Sequence, residues 1–218
     1  MLFQTTEIRW FFRGPVPAPR DGFRYDEWSS PEARTDDYLV LAPSEAVGVK
    51  FRDGRFEIKA RHGIGDETRL SAEASGMIEI WQKWSLENSV AALRSAVGDT
   101  DEMLAVEKRR WKLVYDLDAD APRIAEPGAR EAGAMPVNRC HADVTELTCA
   151  WQVWWSFGFE AAGTQGAELK NLLRGSQAFL QQYAVPASLT PGLSFSYPAW
   201  LARVVDRPPP ERLVSRAP

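Results

Sequence analysis

Long basic side chains recur at every second position in several short stretches of the chain: Lys50 and Arg52, Lys59 and Arg61, and Lys108, Arg110 and Lys112. Successive residues of a strand point to opposite faces, so this spacing gathers the cations of each stretch on one face. The other face is apolar, with Val49 and Phe51, then Phe56, Ile58 and Ala60. Near the N-terminus Glu7, Arg9 and Phe11 alternate with Ile8, Trp10 and Phe12. A surface built from several such faces suits a polyanion. Other chemistries lack their residues. The chain has no Gly-x-x-x-x-Gly-Lys-Ser/Thr loop, no Gly-x-Ser-x-Gly elbow, no His-Glu-x-x-His and no Cys-x-x-Cys. Cys140-His141 with His62 could be considered as a metal or nucleophile site, but adjacent strand residues point apart and no orienting partner is evident. A structural role is expected for that pair.

The cations stand in a chain whose overall balance is acidic. Its 218 residues carry 26 Lys and Arg against 30 Asp and Glu, a formal charge of −4. That total opposes a surface that attracts nucleic acid or membrane everywhere, and leaves a local basic site open. The Trp residues interleaved with basic ones sit mostly on apolar faces, so nucleic-acid binding ranks low. Two cysteines predict free thiols in a reducing, cytoplasmic setting. No segment reaches the roughly 20 apolar residues of a membrane span, and Met1–Glu7 lacks the blocks of a signal peptide.

The elements that would position the cations are mostly strands. Alternation predicts them at Glu7–Phe12, Thr35–Leu41, Val47–Phe51, Phe56–Arg61, Met77–Trp84 and Ala105–Asp116. Asp53-Gly54 is a tight-turn pair because Gly tolerates positive φ, so Val47–Arg61 reads as a hairpin. From Asp143 to Glu160 one parity persists, which predicts a long bent strand, or two with a bulge near Ala150, with Glu146 and Glu160 on the polar, even face. Helices are predicted from Ser85 to Gly98, from Gly166 to Tyr183 with Leu169, Leu172, Leu173, Phe179 and Leu180 buried, and at Pro198–Val205. Arg13–Arg34 and Asp118–Arg139 read as long loops. The expected architecture is α+β: a single-domain antiparallel β-barrel, tunnel-like, with a few flanking helices. Its apolar faces would turn outward beneath helices and its polar faces would line a lumen.

The order of pieces over roughly residues 5–165 resembles the CYTH family, the triphosphate tunnel metalloenzymes that include class IV adenylate cyclases, thiamine triphosphatases and inorganic triphosphatases. Glu7 stands where that family opens with Glu-x-Glu-x-Lys. Thr35-Asp36-Asp37-Tyr38-Leu39 is similar to its Thr-Asp-x-Tyr strand. Val49-Lys50-Phe51-Arg52 with Phe56-Glu57-Ile58-Lys59 resembles its basic hairpin, and Glu107-Lys108-Arg109-Arg110 its later Lys-x-Arg strand. With no internal repeat and no linker, residues 1–205 read as one such barrel domain with C-terminal helices, followed by an extended Pro-rich tail over 206–218. On this reading, combined with the strand faces, Arg9, Lys50, Arg52, Lys59, Arg61, Lys108 and Arg110 would bind phosphate, and Glu7, Glu57 and Glu146 are the metal candidates for Mg²⁺ or Mn²⁺. Such ions would bridge phosphate oxygens and stabilise developing charge. The opening motif departs from the family: Arg9 replaces the second Glu and Phe11 the Lys. A guanidinium there removes a ligand and repels a cation, while its planar donors match phosphate oxygens directly.

Three readings follow. The barrel binds a phosphorylated or otherwise polyanionic small molecule and hydrolyses it with a divalent metal; or it is a non-catalytic binding or interaction module that has lost the metal site; or the charged faces are only solvated and the Trp-rich faces form a core or a homodimer interface.

Overall fold

The computed structural model describes residues 2–18, 28–41, 44–87, 90–97, 102–125, 137–164 and 166–206. Eight antiparallel strands close into a barrel, so the expected α+β barrel is the fold. The strands are β1 (Leu2–Arg13), β2 (Glu32–Leu39), β3 (Val47–Arg52), β4 (Arg55–Arg69), β5 (Ser75–Leu86), β6 (Met103–Asp116), β8 (Arg139–Cys149) and β9 (Gln152–Ala162). A two-residue β7 (Arg123–Ile124) pairs with the far end of β6. Around the barrel the order is β2-β3-β4-β5-β1-β9-β8-β6, and β6 returns to pair with β2. β2 is thus paired on both sides, with β3 over Asp37–Leu39 and with β6 over Glu32–Leu39, which closes the sheet on itself.

Two turns set the registers that matter. Asp53 and Gly54 both take positive φ, 47° and 71°, the geometry of a two-residue hairpin, and place Arg52 opposite Arg55. The second lies at Ala150, φ 53°, between β8 and β9, and places Cys149 opposite Gln152. The stretch expected to hold one parity from Asp143 to Glu160 is therefore two strands, and odd positions of β8 face even positions of β9.

Apolar side chains form two cores. The larger lies outside the barrel wall, where Ile8, Trp10, Ala142, Val144, Phe157 and Phe159 meet Leu172 and Phe179 of α2 (Glu168–Gln182). Trp10 is fully buried there and satisfies its indole N–H on Ser75 O at 2.9 Å. The smaller core lies within the barrel. α3 (Tyr197–Val205) packs Trp200, Leu201 and Val204 against Phe11, Tyr38, Val106, Leu147 and Trp154, which share faces with the lumen cations. Ser196 caps α3 by accepting the Ala199 N–H at 3.2 Å.

Helix boundaries depart from the sequence reading in two places. α1 begins at Val90, not beside Ser85, because Ser85 and Leu86 continue β5 and pair with Glu57 and Phe56. Its expected stop at Gly98 lies outside the described residues. In α2, Leu169 and Leu173 are exposed; the buried stripe is Glu168, Asn171, Leu172, Gly175, Ser176 and Phe179. The small residues decide this face, since a side-chain carbon on Gly175 would stand 2.2 Å from Cys140 Cβ. The tail expected over 206–218 lies, beyond Asp206, outside the described residues.

Candidate functional site: a cationic lumen

The polar faces of β1 to β6 and β9 meet around a cavity of about 140 Å³. Eight cations line it: Arg9, Arg34, Lys50, Arg52, Lys59, Lys83, Lys108 and Arg110. Three carboxylates, Glu7, Glu57 and Glu160, line it with them, and Tyr38, Gly48, Trp81, Tyr197 and Pro198 complete the wall among the described residues. Of the seven residues expected on phosphate, Arg9, Lys50, Arg52, Lys59, Lys108 and Arg110 are thus brought together. Arg61 faces the lumen from β4 and is held by Glu79 at 2.6 Å, outside the cavity lining.

Two carboxylates behind the lining organise the cations. Asp143 receives Arg9 Nη1 and Nη2 at 2.8 and 2.9 Å and Arg110 Nη2 at 3.0 Å. Burial pushes its carboxyl up, but Arg110 and Arg9 outweigh burial and hold it well below the usual carboxylate range. Asp36 accepts Lys50 at 2.8 Å, Lys108 at 3.0 Å and Arg34 Nε at 3.2 Å, and those charges likewise depress it against burial. Neither Asp143 nor Asp36 was singled out as a site residue by sequence, and Arg34, Tyr38 and Tyr197 were also missed. Asp36 and Tyr38 alternate in the Thr35–Leu39 motif, which was a usable signal; Asp143 was concealed by the parity reversal at Ala150.

The lysines respond to this crowding. Burial, with repulsion from Lys108 and Arg52, lowers Lys50 to about 7 despite Asp36. Burial, with Arg34 and Arg110, lowers Lys108 to about 8 against the same carboxylate. Lys108 Nζ donates to Tyr38 Oη at 2.6 Å and lies 4.1 Å from the Tyr197 ring centroid, so α3 supplies one aromatic wall for it. Among the described cations of the lining, Arg9 Nε and Arg110 Nε are buried without a hydrogen-bond acceptor.

The three metal candidates do not converge. Glu7 is held by Lys59 at 2.6 Å. Glu57 is surrounded by Lys83 at 2.6 Å, Arg52 at 2.7 Å and Lys50 at 3.4 Å. Glu146, expected on the lumen face, stands instead on the outer face, in register with Arg109 and with the core residue Trp155. The reason is again the Ala150 turn, which puts the odd residues of β8 inside. Among the described residues no three His, Cys, Asp or Glu side chains are placed to hold a metal ion. Glu7, Glu57 and Glu146 are therefore not brought together as one ligand set.

The Cys140-His141 pair is split between the faces. Cys140 is buried against α2 and burial pushes its thiol up, while His141 stands opposite Glu160 and burial lowers it to about 4. Neither a thiolate nor an imidazolium is favoured there at neutral pH. The exposed His62 is on β4. No helix is long and apolar enough to cross a membrane among the described residues. No protein-family model matches the sequence and no curated protein matches it, so the chemistry of the lumen is read from its own residues.

Proposed function

We propose that the protein is a divergent CYTH-like barrel that binds a phosphorylated or otherwise polyanionic small molecule in its lumen, as a binding module and without a resident catalytic metal. The observation that carries this reading is the composition of the wall: eight cations against three carboxylates around one cavity. The two orphaned guanidinium N–H groups of Arg9 and Arg110 support it, because a buried donor left without an acceptor costs about 1–3 kcal/mol that an anion would recover. Arg9 in place of a family carboxylate, and Glu7 and Glu57 already engaged by ammonium and guanidinium groups, favour the module over metal-dependent hydrolysis.

Thermal unfolding with phosphate, pyrophosphate and tripolyphosphate, with and without Mg²⁺, tests this. A ligand at a hundredfold excess over its Kd stabilises by about 2.7 kcal/mol, roughly 5–11 °C in Tm for a domain of this size. Tripolyphosphate is expected to give such a shift without Mg²⁺, and Arg52→Ala or Lys59→Ala to remove it. Absence of any anion-induced shift, or full protection in Arg52→Ala, would refute binding in the lumen. Mg²⁺-dependent phosphate release that vanishes in Glu7→Gln would restore the hydrolase reading.

A further inference from the structure

Glu57 is bound in the way a ligand would be. It projects from β4 between Lys50 on β3 and Ser85 on β5. Its Oε1 accepts Arg52 Nη2 at 2.7 Å and lies 2.6 Å from Lys83 Nζ, while Oε2, 3.4 Å from Lys50 Nζ, has no hydrogen bond. The carboxylate is 3% exposed, yet the side chains around it reach solvent, at 18% for Arg52, 20% for Lys83 and 16% for Lys50. The other carboxylates of the lumen differ. Asp36 and Asp143 are fully buried behind the lining, and Glu7 and Glu160 line the cavity with, among the described residues, one ion pair each, the latter to Arg110 at 3.9 Å.

From this geometry we infer that Glu57 is a displaceable internal anion: its carboxylate occupies the place of one anionic group of the ligand and sets how many charges a ligand must carry to enter. The inference rests on the reading of the lumen as an anion site. An arriving phosphoryl group needs the same Arg52 and Lys83 donors, and two anions cannot share them without repulsion. A flexible side chain with three rotatable bonds can yield. A single anionic group then only exchanges one charge for another, and its net gain is small. A chain of linked phosphoryl groups also meets Lys59, Arg9 and Lys108, and that surplus drives the displacement. Glu57 therefore acts as a specificity-determining residue that favours condensed phosphates over inorganic phosphate.

Calorimetric titration of the full chain with inorganic phosphate and with tripolyphosphate tests this in the native protein and Glu57→Gln. The variant is expected to bind tripolyphosphate at least tenfold more tightly and inorganic phosphate more tightly by a larger factor, so that discrimination between them shrinks. Its Tm without ligand should fall, because Arg52 and Lys83 lose their partner and Lys50 keeps only Asp36, and should recover on saturation with tripolyphosphate. If the native protein binds tripolyphosphate and Glu57→Gln binds it equally or more weakly, Glu57 orients the cations and the inference is overturned while the lumen reading stands. If neither binds, both fall. Should Glu57→Gln not fold, the double variant Glu57→Gln/Lys83→Met, compared with Lys83→Met alone, must show the same gain in affinity.

Discussion

Arg9 reaches Asp143 by lying flat across Gly158. The three residues stand in one row on β1, β9 and β8, with Gly158 in register with both partners. A side-chain carbon on Gly158 would stand 2.9 Å from Arg9 Cζ, so the bidentate pair as placed would have to shift to admit one. Asp143→Asn leaves Arg9 and Arg110 without their shared counter-charge. Denaturant unfolding is expected to show a loss of about 3–5 kcal/mol, the usual result of breaking a buried pair from one side. Gly158→Ala, which displaces Arg9, should lose roughly 1–3 kcal/mol.

Buried carboxylates held by cations are expected to make the fold sensitive to acid. Asp143 and Asp36 are both depressed below the ordinary carboxyl range of about 4. Their contribution is fully present above the unfolded value and is lost as pH falls from about 4 through the folded values. Urea midpoints taken from about pH 6 down to about pH 2 should fall steeply below about pH 4 in the native chain. Asp143→Asn, starting from lower stability, should show a shallower fall.

Anion binding should take up protons near neutral pH. With Lys50 lowered to about 7 and Lys108 to about 8, both amines are partly neutral there. A polyanion between them favours the charged forms and raises both values, so its affinity weakens as pH rises through that range. Titrations in two buffers of different ionisation enthalpy should report net proton uptake at about pH 8. Lys50→Arg, which keeps the charge but does not titrate, should reduce the uptake.

α3 is expected to be structural support for the lumen. Trp200 is fully buried and stacks on Phe11, with ring centroids 5.5 Å apart, and meets Trp154 edge-on at 6.3 Å. Trp200→Ala should cost about 3–5 kcal/mol in denaturant unfolding, as for other large aromatic truncations.

What the sequence disclosed followed the strength of its turn signals. Asp53-Gly54 is a pair whose backbone chemistry selects one hairpin, so the faces of Lys50, Arg52, Glu57 and Lys59 were correctly assigned. Ala150-Trp151 carries no glycine, asparagine or proline, and Ala150 takes positive φ only because the paired strands impose it. The reversal of parity there was invisible, which placed Glu146 inside and hid Asp143. The Ser85 cap was overridden by pairing of β5 with β4, and the leucines of α2 by the close approach of Gly175 to Cys140. Local preference lost in each case to a tertiary contact distant in sequence.

The central claim is that an anion sits inside the barrel, and lysine footprinting reads this directly. The full chain is acetylated briefly with and without tripolyphosphate, and modification is quantified by mass spectrometry at Lys59 and Lys83, which line the cavity and remain partly exposed, and at Lys170, exposed on α2. Ligand is expected to protect Lys59 and Lys83 at least several-fold and to leave Lys170 unchanged. Equal modification at all three lysines with and without tripolyphosphate, or protection confined to Lys170, would contradict a binding site in the lumen.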